Sequence, residues 1–243
     1  MLLLITGGAG FIGKWIIRQL PGNIEIVVVD SLDKQIHSEN NQFPDELLQR
    51  AECIKADVRQ IERYGHAIEK CDIILHLAAQ TGTGQSMYQI GRYVQHNVDG
   101  LACLLDALSS RKDGLPEKII LASSRAIYGE GAYGNISFPT YPLGRKSTNM
   151  KKGIWEIQID GNSETTALAM QENHEPHPVS TYGWTKLWQE QLLQHYAKLH
   201  GVQYFILRIQ NAYGSGQSLS NPYTGIIGIF AAALFTKTGA ALI

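Results

Sequence analysis

Tyr182 and Lys186 stand four residues apart and are the side chains of this chain best suited to moving a proton. On a helix, positions i and i+4 share one face, so the ammonium group would lie beside the phenol. A free tyrosine has a pKa of about 10, too high for a base at neutral pH, but a neighbouring cation favours the phenolate. The spacing therefore predicts a tyrosine base assisted by a lysine. Ser124, at the end of a predicted strand, is the candidate hydrogen-bond partner for an oxygen of the reacting substrate.

A glycine-rich turn near the N-terminus is suited to holding the phosphates of a cofactor. Gly7, Gly10 and Gly13 follow an apolar run and open a helical pattern. Gly7 would allow the tight turn, Gly10 the close approach of backbone to a pyrophosphate, and Gly13 the packing of helix on strand. The free N–H groups of the helix N-terminus attract an anion. The turn therefore predicts a dinucleotide site.

An acidic residue ends the second predicted strand, where a ribose-binding carboxylate is expected. Asp30 would accept hydrogen bonds from the ribose hydroxyls and repel a 2′-phosphate. No arginine follows within several residues, and Lys34 is only a flexible candidate for a phosphate contact. The predicted cofactor is therefore NAD rather than NADP.

Strands and helices alternate along the chain, which is the pattern of a parallel sheet with right-handed crossovers. We therefore predict the α/β class, as a Rossmann doubly wound parallel sheet that forms one NAD-binding domain over residues 1–243. The predicted strands are 2–6, 25–30, 52–56, 72–77, 118–122 and 204–207, and the predicted helices are 11–20, 61–69, 93–108, 181–200 and 225–235.

One segment is too long for an ordinary connection between a strand and a helix. Residues 130–178 are predicted to be an insertion after the fifth strand, at the edge of the sheet where α/β proteins bind ligands. A lid over the site and a surface excursion both fit it. The alternating residues 154–159 predict a small strand within it.

His174 and His177 have no further ligands nearby, so no metal site is predicted.

The composition argues against several other classes of protein. The 21 Lys+Arg and 22 Asp+Glu residues give a net charge of -1, which leaves no electrostatic footprint for nucleic acid or an anionic membrane. No apolar run reaches the ~18 residues that span a bilayer, and no secretory signal precedes the glycine turn. Cys53, Cys71 and Cys103 are widely spaced and are expected to be reduced core residues. A cytoplasmic protein is expected.

A series of motifs resembles the extended short-chain dehydrogenase/reductase family, in its NAD-dependent epimerase/dehydratase branch. Each motif alone is common, but together they run in order over the whole chain. They are TGGAGFIG (6–13), DV (57–58), HLAA (76–79), NVDG (97–100), SSRAIYG (123–129), YGWTK (182–186) and LRIQNAYG (207–214).

The resemblance assigns residues to a cofactor site and a substrate site. The cofactor set comprises Gly7, Gly10, Phe11, Ile12, Gly13, Asp30, Asp57, Val58, Leu77, Ala78, Ala79, Asn97, Tyr182 and Lys186. In such a site Asp57 and Val58 hold the adenine, and Asn97 supports the strand beside the cofactor. Ser124, Arg125 and Asn211 would contact the substrate.

The chemistry implied is 4-epimerisation of a UDP- or dTDP-sugar. Tyr182 would take the proton of the sugar C4 hydroxyl while C4 gives a hydride to NAD. The resulting 4-keto sugar would turn over in the pocket and take the hydride back on its other face. The strings SSRAIYGEG, TGTGQSMY and GQSLSNPYTG resemble bacterial nucleotide-sugar 4-epimerases, with a lean towards the dTDP-rhamnose type.

Other activities of the family stay open to different degrees. Dehydratases resemble one another in an Asp-Glu pair after the catalytic hydroxyl residue, and Arg125 and Ala126 stand there in this chain, which disfavours loss of water. A nucleotide-sugar reductase or decarboxylase, with net oxidation or reduction, is an alternative. A non-catalytic NAD-binding domain is another.

Members of the family continue past the sixth strand into a smaller substrate-binding domain. Residues 212–243 are predicted to be only its start, with the rest missing or truncated. We therefore expect the chain to bind NAD but to convert a nucleotide sugar poorly on its own. Trp184 and Trp188, with the apolar helix 93–108, would form the seam of a homodimer or be covered by the missing region.

Overall fold

The computed structural model describes residues 1–37, 41–159, 166–218 and 225–236. The strands of the main sheet are β1 (Leu2–Thr6), β2 (Glu25–Asp30), β3 (Glu52–Lys55), β4 (Ile73–His76), β5 (Lys118–Ser124) and β8 (Gln203–Ile209). They are all parallel, in the order β3-β2-β1-β4-β5-β8. The chain winds outwards in both directions from β1 and β4, so the carboxyl ends of these two strands are the switch point where such sheets bind ligands.

The central strands β1, β2 and β4 form where the sequence is almost continuously apolar. All five residues of β1 are buried, and so are the last five of β2. Strands buried on both faces are the rule in parallel sheets, because helices cover each side. One face packs Leu4, Val27 and Leu104 into a core, and the other packs Ile5 and Val28. The two cores fix the register of the sheet, and with it the ends of the strands.

Helices connect the strands and line both faces of the sheet. They are α1 (Phe11–Gln19), α2 (Lys34–His37), α3 (Asp45–Leu48), α4 (Gly65–Lys70), α5 (Thr83–Ser86), α6 (Ile90–Tyr93), α7 (Gly100–Ser109), α8 (Ser147–Met150), α9 (Thr181–His200) and α10 (Ile226–Thr236). A π-helical turn, Val94–Asp99, joins α6 to α7. The Ser180 hydroxyl caps α9 by accepting a hydrogen bond from the Gly183 N–H at 3.1 Å. This cap fixes where the first turn of α9 begins.

The predicted alternation of strands and helices is confirmed, and most bounds shift by a few residues. The predicted helix 93–108 begins at Ile90 and contains the π-helical turn. The predicted helix 61–69 is divided into a 3₁₀ turn and α4, and α2 lies where the sequence predicts neither a helix nor a strand. The last strand is longer than predicted at both ends. The shifted bounds arise at the ends of elements, where the sequence signal is weakest, whereas α2 is a short helix that the sequence pattern did not indicate.

The predicted small strand over 154–159 is wrong. The insertion instead contains an antiparallel pair, β6 (Tyr133–Asn135) and β7 (Phe138–Thr140). The other edge of β6 is paired with residues 166–168, since Leu168 N donates to Ala132 O at 2.8 Å and Gly134 N to Thr166 O at 2.9 Å. The side chain of Trp155 is 63% exposed. Residues 154–158 form no strand, although Ile157 is buried.

The structure also shows the surroundings of the cysteines and of His177. Cys71 is buried, whereas Cys53 and Cys103 are only partly buried, so the core position holds fully for Cys71 alone. The ring of Tyr141 stacks on His177 at 4.2 Å. Within the described ranges, no group of three or more His, Cys, Asp or Glu side chains is arranged to hold a metal, and no helix is long and apolar enough to cross a membrane.

The predicted homodimer seam stays a prediction. Trp184 and Trp188 project from α9 with 44% and 42% of their surface exposed. Their ring centroids are 6.0 Å apart. They therefore form a small aromatic surface on the outside of this chain.

Candidate functional site

A cleft of about 930 Å³ runs along the carboxyl ends of the strands at the switch point. The site residues predicted from the sequence line it together, with one exception. They are Gly7, Gly10, Phe11, Ile12, Gly13, Asp30, Asp57, Val58, Leu77, Ala78, Ala79, Ser124, Arg125, Tyr182, Lys186 and Asn211. The exception is Asn97, which is buried behind the wall of the cleft.

The glycine turn is built so closely that only glycine fits at two of its positions. Gly7 has a φ of +72°, and a Cβ there would come within 2.5 Å of Ala78 N, on the neighbouring strand end. A Cβ on Gly13 would lie 2.4 Å from Gly8 O. The first contact brings the turn against β4, and the second lets α1 start directly over it. The result is a backbone cradle at a helix N-terminus, which suits a phosphate.

Asp30 is held at the edge of the cradle. Its Oδ2 accepts a hydrogen bond from Ala9 N at 3.1 Å, and its Oδ1 accepts one from Leu32 N at 2.9 Å. His37 Nε2 lies 3.6 Å from Oδ1. The carboxylate is thus buried and oriented, with acceptor capacity left for hydroxyl groups in the cleft.

Asp57 lies at the far end of the cleft, where the resemblance places an adenine. Its two carboxylate oxygens accept hydrogen bonds from Arg59 at 2.8 and 2.9 Å, and His96 Nε2 is 3.6 Å away. The hydrogen bonds from Arg59 lower the pKa of Asp57. The carboxylate is therefore already engaged, a feature that the motif alone did not indicate. His96 also lines the cleft, and sequence reasoning missed it.

Asn97 connects the cleft wall to α9. Its Oδ1 accepts a hydrogen bond from Gln80 N at 2.7 Å, and its Nδ2 donates to Gln80 O at 3.1 Å and to Thr185 Oγ1 at 2.9 Å. Every polar atom of the buried amide thus has a partner in the protein. The geometry supports bracing of residue 80 rather than direct contact with a ligand.

Tyr182 and Ser124 meet at the carboxyl end of β5. Tyr182 lies in the first turn of α9, where its backbone N–H donates to Ser86 Oγ at 3.0 Å. Its ring packs edge-on against Tyr93, with the centroids 6.3 Å apart. Burial raises the pKa of Tyr182, and a hydrogen bond between its side chain and Ser124 opposes that rise. The two hydroxyls therefore form a connected pair facing the cleft.

Lys186 lies one turn further along α9 and is 2% exposed. Its Nζ donates to Ala122 O at 2.9 Å. Burial lowers the pKa of Lys186 to about 7, and the charge of Glu190 opposes that drop. The expectation that the lysine lowers the pKa of Tyr182 is not what this geometry gives, because burial acts on both groups and disfavours the charged form of each.

A second layer of buried polar side chains lies behind these residues, and sequence reasoning missed it. Glu190 pairs with Arg208 at 2.9 Å, and Gln189 Nε2 donates to Asn97 O at 2.8 Å. One signal was available. Glu190 is four residues after Lys186 and eight after Tyr182, so the helical period puts it on the same face of α9.

His76 belongs to this second layer and is fully buried. It forms a hydrogen bond with Thr6 Oγ1 through Nδ1 at 2.7 Å, and Gln189 Nε2 lies 3.4 Å from its Nε2. Burial, together with the charge of Lys186, lowers the pKa of His76 to about 3. The imidazole is therefore neutral wherever the protein is folded near neutral pH.

This neutral imidazole makes the stability of the protein sensitive to acid. The unfolded chain protonates His76 near pH 6.5 and the folded chain does not, so stability is lost as the pH falls below about 6.5, by about 1.4 kcal/mol per pH unit. We expect the drop in unfolding free energy between about pH 7.5 and pH 5 to be smaller in His76→Gln. The measurement is chemical denaturation at both pH values. An exposed histidine of α9, changed in His195→Gln, is the matched control, and equal slopes in His76→Gln and the unchanged protein would refute the prediction.

Comparison with known proteins gives consistent results in sequence and in structure. A family model described as the NAD dependent epimerase/dehydratase family matches residues 3–149 and 160–238. The dTDP-L-rhamnose 4-epimerase of Burkholderia thailandensis is 40% identical over 236 residues, which cover 94% of this chain and 62% of that enzyme.

Solved structures of two nucleotide-sugar 4-epimerases resemble the chain over most of its length. The UDP-glucose 4-epimerase of Thermotoga maritima, solved with UDP-glucose, has a TM-score of 0.73 at 25% identity and covers 97% of this chain. The UDP-glucuronic acid 4-epimerase of Bacillus cereus, solved with UDP-glucuronic acid and NAD, has a TM-score of 0.67 at 26% identity and covers 89%. The chain spans 63% and 59% of these two proteins.

Proposed function

The chain belongs to the NAD-dependent epimerase/dehydratase family, and from that premise we propose that its cleft binds NAD and a nucleotide sugar for 4-epimerisation. One observation carries the proposal. Tyr182, Ser124 and Lys186 converge at the end of β5 in the same cleft that the glycine turn and Asp30 line. A proton-transfer pair and a dinucleotide cradle are thus within one continuous space.

The residues present fit NAD. A Cβ built on Gly10 would meet only Gly7 O, at 3.3 Å, so its absence lets a phosphate approach the backbone of the turn. The buried carboxylate of Asp30 would accept hydrogen bonds from ribose hydroxyls and disfavour a 2′-phosphate. When bound, NAD would supply a reversible hydride acceptor and a positively charged ring near the phenol.

The chain's own residues would hold the sugar oxygen and move its proton. Ser124 Oγ already accepts a hydrogen bond from Ala126 N at 3.1 Å, which fixes its position, and its hydroxyl would exchange the hydrogen bond with Tyr182 for one to the sugar oxygen. Tyr182 would take the proton from the same oxygen and later return it. Lys186, fixed on Ala122 O, would place a positive charge beside the phenol when it is protonated.

The substrate we propose is a dTDP-linked 6-deoxysugar. The 40% identity to a dTDP-L-rhamnose 4-epimerase over nearly the whole chain supports this choice. Arg125 and Asn211, which line the cleft beside Ser124, would contact the substrate. Arg125 and Ala126 also occupy the positions of the acid/base pair that dehydration needs, so loss of water is disfavoured.

The test is conversion of a sugar nucleotide at stoichiometric protein concentration, so that a slow reaction is still seen. The protein is incubated with NAD and either dTDP-L-rhamnose or UDP-glucose. The sugar is followed by NMR and NADH by its absorbance at about 340 nm. We expect the 4-epimer of dTDP-L-rhamnose to appear with no net NADH. Net NADH would indicate a dehydrogenase instead, and unchanged sugar in the presence of bound NAD would overturn the proposal.

Asp30 is expected to decide which dinucleotide binds. In Asp30→Asn we expect the Kd for NAD to rise about tenfold, because hydrogen bonds to a charged acceptor are worth about 1.5–3 kcal/mol. The Kd for NADP should stay the same or fall, because the charge that repels the 2′-phosphate is gone. Isothermal titration calorimetry measures both. Asp113→Asn, a change to an exposed loop carboxylate, serves as the control, and an unchanged ratio of the two Kd values in Asp30→Asn would contradict the assignment.

A further inference from the structure

A third residue of α9 shares the face that carries the proposed base and its lysine. We propose that Glu190 is a positioning residue, whose carboxylate, held by Arg208 and Ser123, fixes the end of β5 to which Lys186 is hydrogen-bonded and keeps Lys186 charged. The inference rests on the proposed function, because it concerns how that site would be kept ready for proton transfer.

The first support is a line of contacts between one helix face and one strand end. Tyr182, Lys186 and Glu190 are spaced by four residues each, and they contact consecutive residues of β5. The Tyr182 side chain is hydrogen-bonded to Ser124, Lys186 Nζ donates to Ala122 O at 2.9 Å, and Ser123 Oγ donates to Glu190 Oε1. The strand end that carries Ser124 is therefore fixed to α9 by three side chains.

The second support is the way in which the carboxylate itself is held. Glu190 is 2% exposed, and Arg208 donates to it through Nη2 at 2.9 Å and through Nε at 3.2 and 3.3 Å. Arg208 stands opposite Ser123 in the register of β5 and β8. Its Nη1 also donates to Tyr128 OH and to Glu172 O, both at 2.7 Å. The carboxylate thus has little freedom to turn.

Stability alone is a weak reason for such a group. Burying an ion pair costs about as much solvation as the attraction returns, so apolar side chains would often serve the fold equally well. Lys186 is a group on which the charge of Glu190 can act, since it lies one helical turn away and is buried to the same degree. A fixed negative charge there offsets the desolvation of the ammonium group.

The charges around Lys186 come from three elements. On α9 the titratable groups near Lys186 are Tyr182 and Glu190. Burial raises the pKa of Tyr182, so its phenol is neutral, whereas Glu190 is an anion. From β4 comes His76, whose pKa is lowered by burial to about 3 and which is therefore neutral. From β8 comes the cationic Arg208, paired with Glu190. Removal of Glu190 would leave Lys186 without its counter-charge.

The test is a direct titration of Lys186 in the full chain, with no substrate. Lysine labelled with ¹³C at Cε is followed by NMR over pH, and Lys186→Met identifies the resonance. In Glu190→Gln we expect the midpoint of Lys186 to fall by about one pH unit or more. In Arg208→Gln, where the carboxylate loses its partner, we expect it to rise. A purely structural role would move both midpoints in one direction or neither of them, and that result would overturn the proposal.

A double variant keeps the test valid if a single change unfolds the protein. Glu190→Gln with Arg208→Gln removes both members of the buried ion pair together, so neither of the two is left without its partner, and the midpoint of Lys186 should lie between those of the unchanged protein and Glu190→Gln. A midpoint equal to that of the unchanged protein would count against the proposal. Thermal unfolding monitors the fold of each variant. Because the titration uses neither NAD nor a sugar, its failure is distinct from a failure of the proposed epimerisation.

Discussion

Changing Tyr182 to phenylalanine is expected to slow conversion of the sugar nucleotide by about 10³-fold, within the range found for loss of a general acid–base group. The phenol is the group that would take and return the proton of the sugar hydroxyl, and phenylalanine keeps the ring that packs on Tyr93. The fold and the glycine cradle should therefore be unaffected. The rate is measured by NMR at stoichiometric protein concentration, and NAD binding by calorimetry.

The same chemical change elsewhere provides the control. Tyr204 lies on β8 with 41% of its surface exposed, and Tyr204→Phe should convert the sugar at the rate of the unchanged protein. The Kd for NAD should stay within a few-fold in both variants. If Tyr182→Phe kept a tenth or more of the rate, Tyr182 would not be the base.

Adding a single methyl group to the glycine turn is expected to have the second large effect. In Gly7→Ala the new Cβ would meet Ala78 N at 2.5 Å, Ala78 Cα at 2.7 Å and Leu77 C at 2.8 Å, and the φ of +72° is itself unfavourable for alanine. These are backbone atoms of a central strand end and cannot move aside cheaply. We expect the free energy of unfolding to fall by about 3 kcal/mol or more and NAD binding to be lost.

The matched control is Gly22→Ala, in the turn before β2. No heavy atom lies within 4 Å of a Cβ built there, so its stability should change by less than about 0.5 kcal/mol. Denaturant titration gives the stabilities, and calorimetry gives the Kd for NAD. If Gly7→Ala bound NAD as tightly as Gly22→Ala does, the packing of the turn against Ala78 would not be what shapes the cofactor site.

The parts of the fold that the sequence predicted correctly are those with local causes. β1, β2 and β4 are short apolar runs, and such runs bounded by turns identify buried strands without reference to the rest of the chain. The glycine turn and the i, i+4 spacing of Tyr182 and Lys186 are local patterns as well. Resemblance in ordered motifs added Asp57, Arg125 and Asn211, all of which line the cleft.

What the sequence did not reveal depends on contacts between distant residues. Glu190 and Arg208 are 18 positions apart, and their pairing follows from the register of β5 with β8 and the seating of α9 on both. Burial raises the pKa of Tyr182, and the i, i+4 spacing of Tyr182 and Lys186 does not indicate how deeply either side chain is buried. The pairing of β6 with residues 166–168 likewise needs the folded insertion.

The central claim is that Tyr182 and Lys186 face the reactive ring of a dinucleotide held by the glycine turn. A crystal structure of the protein with NAD tests it most directly. We expect the pyrophosphate over the turn at Gly7, the adenosine ribose hydroxyls on Asp30, and the nicotinamide ring beside Tyr182, with Lys186 near its ribose. A nicotinamide ring bound away from both side chains, with the pyrophosphate still on the turn, would contradict the claim.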